Sequence, residues 1–153
     1  MNYVLFTGGF DPIHSGHLAA MEQAAQIGTL VVAPNSDNWL TRKKGAPFQP
    51  LSERVAILKH CKHVSEVQTG WDDSDGTACG AIQQFYTSKH LLTNGVGGRG
   101  NLFFANGGDR TPTNVSQAEI DLCMELGILL LFNVGGKKTQ SSSQFIQEWS
   151  RRI

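Results

Sequence analysis

Two histidines stand three residues apart in a glycine-rich turn, and their side chains are suited to binding phosphate. The turn reads Gly8-Gly9-Phe10-Asp11-Pro12-Ile13-His14-Ser15-Gly16-His17. Both imidazoles can donate hydrogen bonds to one phosphate on which charge develops during a reaction. Glycines at positions 8 and 9 let a phosphate chain approach the backbone closely. The turn therefore predicts a phosphate site, with a surface helix cap beside an ordinary Gly-Gly turn as the plain alternative.

The elements on either side of this turn would position it for anion binding. The apolar run Tyr3–Phe6 predicts a buried strand, and apolar residues at helical spacing predict a helix over 17–27 that Gly28 closes. The start of such a helix offers unpaired N–H groups and the positive end of a dipole to an anion. A second strand is predicted over Leu30–Ala33, which completes a βαβ unit.

Strands and helices continue to alternate along the chain. Strands are predicted over 64–68, 102–105 and 128–132, and helices over 54–62 with Ser52 as cap, 76–90, 115–126 and 141–152. Parallel neighbours require right-handed crossovers. We therefore expect one α/β domain over residues 1–153, a Rossmann-like doubly wound sheet of about five parallel strands with helices on both faces. Ligands of such sheets bind at the carboxyl ends of the strands.

Composition narrows the class of partner. The 13 Lys and Arg residues balance the 13 Asp and Glu residues, so no global field favours nucleic acid or an anionic membrane. Three cysteines without a CxxC pair argue against a disulfide framework and a zinc site, and they favour a reducing compartment. No apolar run approaches the roughly 18 residues of a membrane span. We expect a cytoplasmic protein.

The histidine turn closely resembles the GxFDxxHxGH signature of the nucleotidyltransferase superfamily, in particular its cytidylyltransferase-like branch. The resemblance implies transfer of a nucleoside monophosphate from CTP or ATP to a small phosphorylated sugar or polyol, with release of pyrophosphate. It also implies Mg²⁺ carried by the triphosphate, and a homodimer. Heptose-phosphate adenylyltransferases and glycerol-3-phosphate cytidylyltransferases are both similar, so CTP and ATP both stay open.

A second segment resembles the family's N-S-D turn and lysine-bearing loop. It comprises Asn35-Ser36-Asp37 and the basic run Arg42-Lys43-Lys44-Gly45. Lys44 is the better match for the phosphate-binding lysine, and Lys43 and Arg42 are rivals; a solvated basic surface is the alternative. Pro50 to Arg54 resembles a "P-x-x-x-R" helix start, in which Arg54 binds phosphate or acceptor, or equally pairs with a carboxylate.

Two further segments resemble parts of a nucleotide site. Asp109 follows the fourth predicted strand, where its carboxylate can hold a ribose hydroxyl, a substrate hydroxyl or magnesium, and Arg110 adds a cation. Ser141 to Ser143 open the last helix, where they cap N–H groups or bind the β- and γ-phosphates. The family's preceding Arg is absent at Gly135 and Gly136, so Lys137 or Lys138 would replace it.

The resemblance thus assigns three sets of residues. The acceptor would meet Asp11 and Arg54, and catalysis would rest on His14, His17 and Lys44. The nucleotide and its phosphates would be bound by Thr7, Gly8, Gly9, Phe10, Asp109, Arg110, Ser141, Ser142 and Ser143. A catalytically idle nucleotide-binding or regulatory module of the same fold is the alternative, and the presence of both histidines argues for an enzyme.

Three features lie outside the resemblance. The acidic segment Asp72 to Asp75 is interpreted as an acidic helix start rather than a cation loop. The glycine-rich loop 93–101 and the basic loop 42–45 are predicted to order over a bound triphosphate. Trp39 and Trp71 fit rim or core packing more often than base stacking.

Overall fold

The computed structural model describes residues 1–94, 100–107, 115–136 and 141–152. Five strands lie in these ranges: β1 (Tyr3–Gly8), β2 (Thr29–Pro34), β3 (Glu66–Val67), β4 (Leu102–Gly107) and β5 (Leu129–Val134). Six helices lie there too: α1 (Ser15–Ile27), α2 (Asp37–Lys44), α3 (Leu51–Lys59), α4 (Cys79–Asn94), α5 (Gln117–Leu126) and α6 (Ser142–Arg151).

The strands form one parallel sheet in the order β3-β2-β1-β4-β5. From β1 the chain builds the sheet outward through β2 and β3, and it then returns to the other side of β1 with β4 and β5. The order therefore reverses between β1 and β4, and their carboxyl ends flank the crevice where ligands of such sheets bind. The expected α/β doubly wound fold is confirmed.

Apolar side chains cover both faces of the sheet. On one face Val4, Phe6 and Val32 pack with Met21 of α1 and Leu58 of α3. On the other face the core is formed by Leu5, Val31, Phe104, Ile82 and Phe85 of α4, and Cys123 of α5. Alternate residues of β1 and β2 thus enter opposite cores, which explains why these strands are continuous apolar runs.

Element bounds differ from the sequence prediction in three places. Arg42, Lys43 and Lys44 form the last turn of helix α2, where a loop was expected. Ser52 is not the cap of α3, because this helix begins at Leu51 after Pro50. Helix α4 begins at Cys79 rather than at Gly76, so the acidic segment before it is not a helix start.

The glycine-rich segment 93–101 was expected near the triphosphate, and its described residues contradict this. Thr93 is buried near the end of α4, and residues 95–99 lie outside the described part of the chain. The Asn101 backbone accepts a hydrogen bond from Tyr3 N and donates one to Asn2 Oδ1. Because Tyr3 begins β1, Asn101 lies at the amino-terminal edge of the sheet, opposite the crevice. Among the described residues, no helix is long and apolar enough to cross a membrane.

Candidate active site

A cavity of about 340 Å³ lies at the carboxyl ends of β1 and β4, where the strand order reverses. Its walls come from the ends of β1, β2, β4 and β5, the start of α1, the exposed side of α2 and the segment before α4. It is lined by Phe6, Thr7, Gly8, Gly9, His14, Gly16, His17, Ala20, Asn35, Trp39, Lys43, Gly76, Thr77, Ala78, Gly107, Glu119, Val134, Gly135 and Gly136. The glycines and both histidines of the motif turn therefore share one cavity.

The two histidines cap helix α1 with their rings. His14 Nδ1 accepts a hydrogen bond from Gly16 N, and His17 Nδ1 accepts one from His14 N, both at 3.1 Å. The rings stack with centroids 3.8 Å apart. Because both Nδ1 atoms accept, the proton of each neutral ring is assigned to Nε2, the nitrogen suited to donate to a phosphate. The helix-cap interpretation and the phosphate-site prediction therefore apply to the same side chains.

Close packing, rather than an unusual backbone angle, favours glycine at two positions of the turn. A Cβ at Gly8 would lie 3.2 Å from the Phe10 ring, and one at Gly9 would lie 3.1 Å from Leu40 Cδ2. Phe10 itself adopts a left-handed backbone with φ 52° and is buried, its ring edge-on to those of Phe6 and His17. The phenyl ring of Phe10 thus supports His17 from the core side.

Arg54 is enclosed, with 1% of its surface exposed. Its guanidinium donates to the backbone carbonyls of Gly9 (2.9 Å), Asn35 (2.7 Å) and Gln49 (3.0 Å), and to Asp37 Oδ1 (2.8 Å). Of the two roles left open by the sequence, the structure supports pairing with a carboxylate and does not support contact with the acceptor. Arg54 holds the ends of β1 and β2 together beneath the cavity.

Asp11 is also buried and organises the chain around it. Its carboxylate accepts from Phe48 N and Gln49 N, both at 2.6 Å, and pairs with Lys44 Nζ at 2.8 Å. Lys44 Nζ also donates to the Asp11 carbonyl at 2.7 Å. This network differs from the expected contact between Asp11 and the acceptor. An ammonium has three N–H donors, so Lys44 can keep both bonds and still donate to a phosphate oxygen.

Asp73 anchors helix α2, and the sequence interpretation missed this role. Its carboxylate accepts from Ser36 N at 2.8 Å and from Ser36 Oγ at 2.7 Å, while Ser36 Oγ caps α2 by accepting from Trp39 N. The Arg42 guanidinium donates to the Asp73 carbonyl at 2.8 Å. Asp73 therefore fixes the helix that carries Trp39 and Lys43 into the cavity. The three acids of 72–75 gave no signal that separates this one from its neighbours.

A smaller recess of about 90 Å³ adjoins the histidines. Lys43, Lys44 and the serines Ser141, Ser142 and Ser143 line it together with both histidines. Ser141 caps α6 by accepting from Gln144 N, and Ser142 Oγ donates to the Pro12 carbonyl at 2.6 Å. The structure thus brings the predicted phosphate-binding serines and lysine beside the motif turn.

The end of β5 closes the cavity against α1. Gly135 has φ +85°, and a Cβ there would lie 2.8 Å from Ala20 Cα. A side chain at this position would therefore clash with the helix backbone, besides being strained by the left-handed φ. Glycine at position 135, one of the two positions where the resemblance would place Arg, allows this close approach.

Glu119 is a buried carboxylate that the sequence analysis did not select. It lies in the first turn of α5, lines the cavity, and accepts from Ala78 N at 3.2 Å. Burial raises the pKa of the Cys123 thiol to about 12, and the nearby charge of Glu119 adds to this rise. Ser116 and Glu119 have the spacing of a capping box. The Ser116 side chain makes no cap hydrogen bond, however, so this spacing would have paired Glu119 with Ser116 instead of with Ala78 N.

Several predicted residues lie outside the described part of the chain. They are Asp109, Arg110, Lys137 and Lys138. Within the described residues, no group of three or more His, Cys, Asp or Glu side chains could hold a metal ion.

Comparison with known families places the motif turn in context. A family model described as cytidylyltransferase-like matches residues 5–88, a stretch from β1 into α4 that contains the whole histidine turn. This stretch also includes Asp11, Lys44 and Arg54.

Two of three similar curated proteins carry transferase names. The bifunctional protein HldE of Hahella chejuensis is 43% identical over 75 residues, which cover 46% of this chain and 16% of that protein. The ethanolamine-phosphate cytidylyltransferase of Arabidopsis thaliana is 43% identical over 65 residues, covering 42% and 15%. The D-beta-D-heptose 1-phosphate adenylyltransferase of Bordetella bronchiseptica is 36% identical over 85 residues, 52% of each chain. The matched region is thus a small part of the first two relatives and about half of the third.

Two solved structures share the fold. The lipopolysaccharide core biosynthesis protein of Thermoplasma volcanium superposes with a TM-score of 0.58 at 22% identity, over 86% of this chain and 93% of that one. A putative nicotinate-nucleotide adenylyltransferase of Vibrio parahaemolyticus superposes with a TM-score of 0.62 at 14% identity, over 99% and 89%. At these identities the likeness concerns the arrangement of strands and helices.

Proposed function

The chain belongs to the cytidylyltransferase-like family, and from that premise we propose that it is a nucleotidyltransferase. It would transfer a nucleoside monophosphate from CTP or ATP to a small phosphorylated sugar or polyol, with release of pyrophosphate. The observation that carries the proposal is the histidine pair at the start of α1. Both rings line the cavity, and each Nδ1 accepts from a backbone N–H group, so the proton of each neutral ring is assigned to Nε2, the nitrogen suited to donate to a phosphate.

The reaction needs positioning more than covalent chemistry. An oxygen of the acceptor phosphate attacks the α-phosphorus in line, the new P–O bond forms, and the bond to the β-phosphate oxygen breaks to release pyrophosphate. His14 and His17 would donate to the α-phosphate oxygens, where charge shifts in the transition state. Donors fixed in advance stabilise such a charge without reorganising at the moment of reaction.

The rest of the site supports binding of the leaving pyrophosphate. The recess that adjoins the histidines presents Lys44 and the hydroxyls of Ser141 to Ser143. A cation, serine hydroxyls and the start of α6 together suit the β- and γ-phosphates. Thr7, Gly8 and Gly9 would line the path of the triphosphate, and Asp109 and Arg110 remain predicted nucleotide ligands.

Magnesium enters this proposal as part of the nucleotide. Mg²⁺ would travel with the triphosphate oxygens, as the resemblance implies, because this ion commonly binds through substrate phosphates with few protein ligands. Asp11, the nearest buried carboxylate of the turn, is already bonded to Phe48 N, Gln49 N and Lys44. We also propose that the protein is a homodimer and that it is located in the cytoplasm. Light scattering of the purified protein measures its mass and would test the dimer.

The proposed class of acceptor is taken from the names of similar proteins. One similar protein is named for heptose 1-phosphate and another for ethanolamine phosphate. A phosphomonoester on a small polar group is the property that these names share, so both belong in the assay together with glycerol 3-phosphate.

The direct test measures pyrophosphate release. Each of CTP, ATP, UTP and GTP is incubated with Mg²⁺ and each acceptor in a panel of sugar, polyol and amino-alcohol phosphates. We expect release with CTP or ATP and at least one acceptor. Nucleotide binding without release from any pair would overturn the proposal and support the catalytically idle nucleotide-binding module.

A further inference from the structure

The cavity has two ends with different linings. The end beside β5 is lined by Ala20, Val134, Gly135 and Gly136, which offer backbone and small or apolar groups. The end beside β2 is lined by Trp39, the third residue of α2 and the largest side chain of the cavity. Because β2 and β5 lie on opposite sides of β1 in the sheet, these ends are opposite each other. We call them the β5 end and the β2 end.

Trp39 is held in place on α2. Its backbone N–H donates to Ser36 Oγ, the cap of this helix, and the Asp73 carboxylate accepts from Ser36 in turn. Lys43 lies one turn further along α2 and places Nζ 5.0 Å from the centroid of the Trp39 ring. One face of the indole is therefore covered, and a ligand of the cavity has the other face to stack on. A ring fixed in advance costs little to order when a ligand binds.

Trp39 differs from the other two tryptophans in its surroundings. Trp71 packs against the core beneath α4 and α5, and Trp149 is 58% exposed on α6. Trp39 is partly exposed and lines the cavity. In the described part of the chain its backbone N–H makes the hydrogen bond to Ser36, and its indole N–H makes none. The indole therefore offers a ligand an aromatic face and a hydrogen-bond donor together.

We infer that Trp39 is the platform on which the sugar ring of the acceptor stacks, so that a cyclic sugar phosphate is preferred to an acyclic phosphate. The inference rests on the proposed function and specifies its acceptor. A sugar ring presents a flat patch of C–H groups that packs on an aromatic face, and its oxygens accept from an indole N–H. Glycerol 3-phosphate and ethanolamine phosphate have no such flat patch, so the ring adds little to their binding.

The space at the β5 end suits the nucleobase. A Cβ added at Gly136 would meet no atom within 4 Å, so the cavity is open above this residue. A base is a flat ring system that fits between small groups, and the β5 end carries no large side chain. With the base at the β5 end, the acceptor ring is left with the β2 end, and both substrates meet at the histidines.

The first experiment compares acceptors in Trp39→Leu, which removes the ring and keeps an apolar side chain. The cyclic probes are heptose 1-phosphate and glucose 1-phosphate, and the acyclic probes are glycerol 3-phosphate and ethanolamine phosphate. We expect kcat/KM to fall about tenfold for the better cyclic probe and less than about twofold for the acyclic ones. The dissociation constant of the nucleotide, measured by calorimetry, should change less than about twofold. Trp149→Leu, which removes an exposed indole outside the cavity, is the matched control and should change none of these values.

Indole fluorescence tests the contact without turnover, and its first comparison needs only the wild type. A cyclic probe added to protein saturated with a non-hydrolysable CTP or ATP and Mg²⁺ should change the tryptophan emission, whereas the nucleotide alone should not. Trp39→Phe should lose this change and Trp149→Phe should keep it. A change that the nucleotide alone produces and that Trp39→Phe abolishes would place the base on the ring, and the assignment to the acceptor would be wrong.

The remaining outcomes separate the two proposals. Faster pyrophosphate release with an acyclic probe than with either cyclic one, or equal losses on both classes in Trp39→Leu, overturns this inference and leaves the proposed function standing. If the wild type releases no pyrophosphate with any pair but a cyclic probe changes the Trp39 emission, the proposed function fails and the stacking contact stands. If neither release nor an emission change occurs, both are overturned.

Discussion

The histidine turn (residues 8–17) and the basic turn of α2 (residues 42–44) flank the same cavity but are organised differently. In the histidine turn the hydrogen bonds to His14 Nδ1 and His17 Nδ1 come from backbone N–H groups at most three residues away. In the basic turn, Arg42 and Lys44 contact Asp73 and Asp11, which lie 31 and 33 residues away. Local contacts can be read from residue spacing, whereas distant ones depend on the fold.

The difference explains where each turn obtains its rigidity. The histidine turn carries its own cap, so the backbone bonds that orient the two rings form within the segment itself. The basic turn is placed by its neighbours, so a change far from it in sequence can redirect Lys43 or Lys44. Arg54 is bonded to both regions, because it binds the Gly9 carbonyl and the α2 residue Asp37.

Replacing Arg54 should produce the largest effect, since it disturbs both turns together. Arg54→Met leaves three backbone carbonyls without this partner, and we expect the free energy of unfolding to fall by about 3 to 5 kcal/mol. Chemical denaturation measures this change. Asp37→Asn is the control and should cost under about 1 kcal/mol, because the Asp37 side chain is 44% exposed. A loss below 1 kcal/mol in Arg54→Met would contradict the structural role.

Removing the imidazole donors should impair the catalytic role of the histidine turn and leave the basic turn unchanged. His17→Ala and His14→Ala should each lower kcat by about 10² to 10³, or 2.7 to 4 kcal/mol, because the lost donor acts mainly in the transition state. Nucleotide affinity should change far less, and steady-state kinetics with calorimetry measures both.

Asparagine separates the two roles of His14. In His14→Asn the side-chain oxygen can still accept from Gly16 N, and Asn is a favourable N-cap residue. Melting temperature should therefore stay close to that of the wild type while kcat falls as in the alanine variant. If His14→Asn keeps its turnover, the ring is a cap and not a catalytic group.

Asp73→Ala should disturb the basic turn alone. It removes the acceptor of Ser36 N and Ser36 Oγ, and we expect a loss of about 1 to 3 kcal/mol in unfolding free energy. The acceptor KM should rise because Trp39 and Lys43 lose their anchor. Asp75→Ala is matched in charge and bonded only to nearby Thr77 in the described part of the chain, so it should have a smaller effect on both quantities. Equal effects of the two substitutions would contradict the role of Asp73 as the anchor of α2.

The smallest effects are expected from replacing Lys43 or Lys44, and the two replacements should affect the binding of different substrates. We expect Lys44→Met to weaken nucleotide binding about tenfold, and Lys43→Met to raise the acceptor KM by a similar or smaller factor. Each serves as the control of the other, because both remove one charge from the same helical turn. The reverse pattern would assign the phosphate-binding role to Lys43, the rival in the sequence analysis.

Much of the fold was predictable because its signals are local. The apolar runs at Tyr3–Phe6 and Leu30–Ala33 identified β1 and β2, and the structure extends them to Tyr3–Gly8 and Thr29–Pro34. Helix α2 was missed because its sequence, DNWLTRKK, has one buried apolar residue, Leu40, and no helical stripe. Its stability depends on the Ser36 cap and on Asp73, and the Asp73 contact spans 37 residues.

The site was predictable in part for the same reason. His14, His17 and the glycines form a motif whose parts are neighbours in sequence, and the structure brings them to one cavity. Lys44 and Ser141 to Ser143 meet in the recess although they are far apart in sequence, as the resemblance implied. Asp73 carried no motif, Glu119 carried only the spacing of a capping box, and Arg54 could not be assigned because burial decides its role.

The contacts of Arg54 also bear on how this site can diversify. Three of its four partners are main-chain carbonyls, which every amino acid possesses. Side chains at positions 9, 35 and 49 can therefore mutate without removing an atom that the guanidinium binds, subject to their own packing. New acceptor preferences can therefore evolve by substitutions around the cavity while Arg54 continues to connect the ends of β1 and β2. For the same reason, substitutions at positions 9, 35 and 49 need not be accompanied by a substitution of Arg54. Correlated substitutions in an alignment would therefore reveal little of the contacts that Arg54 makes.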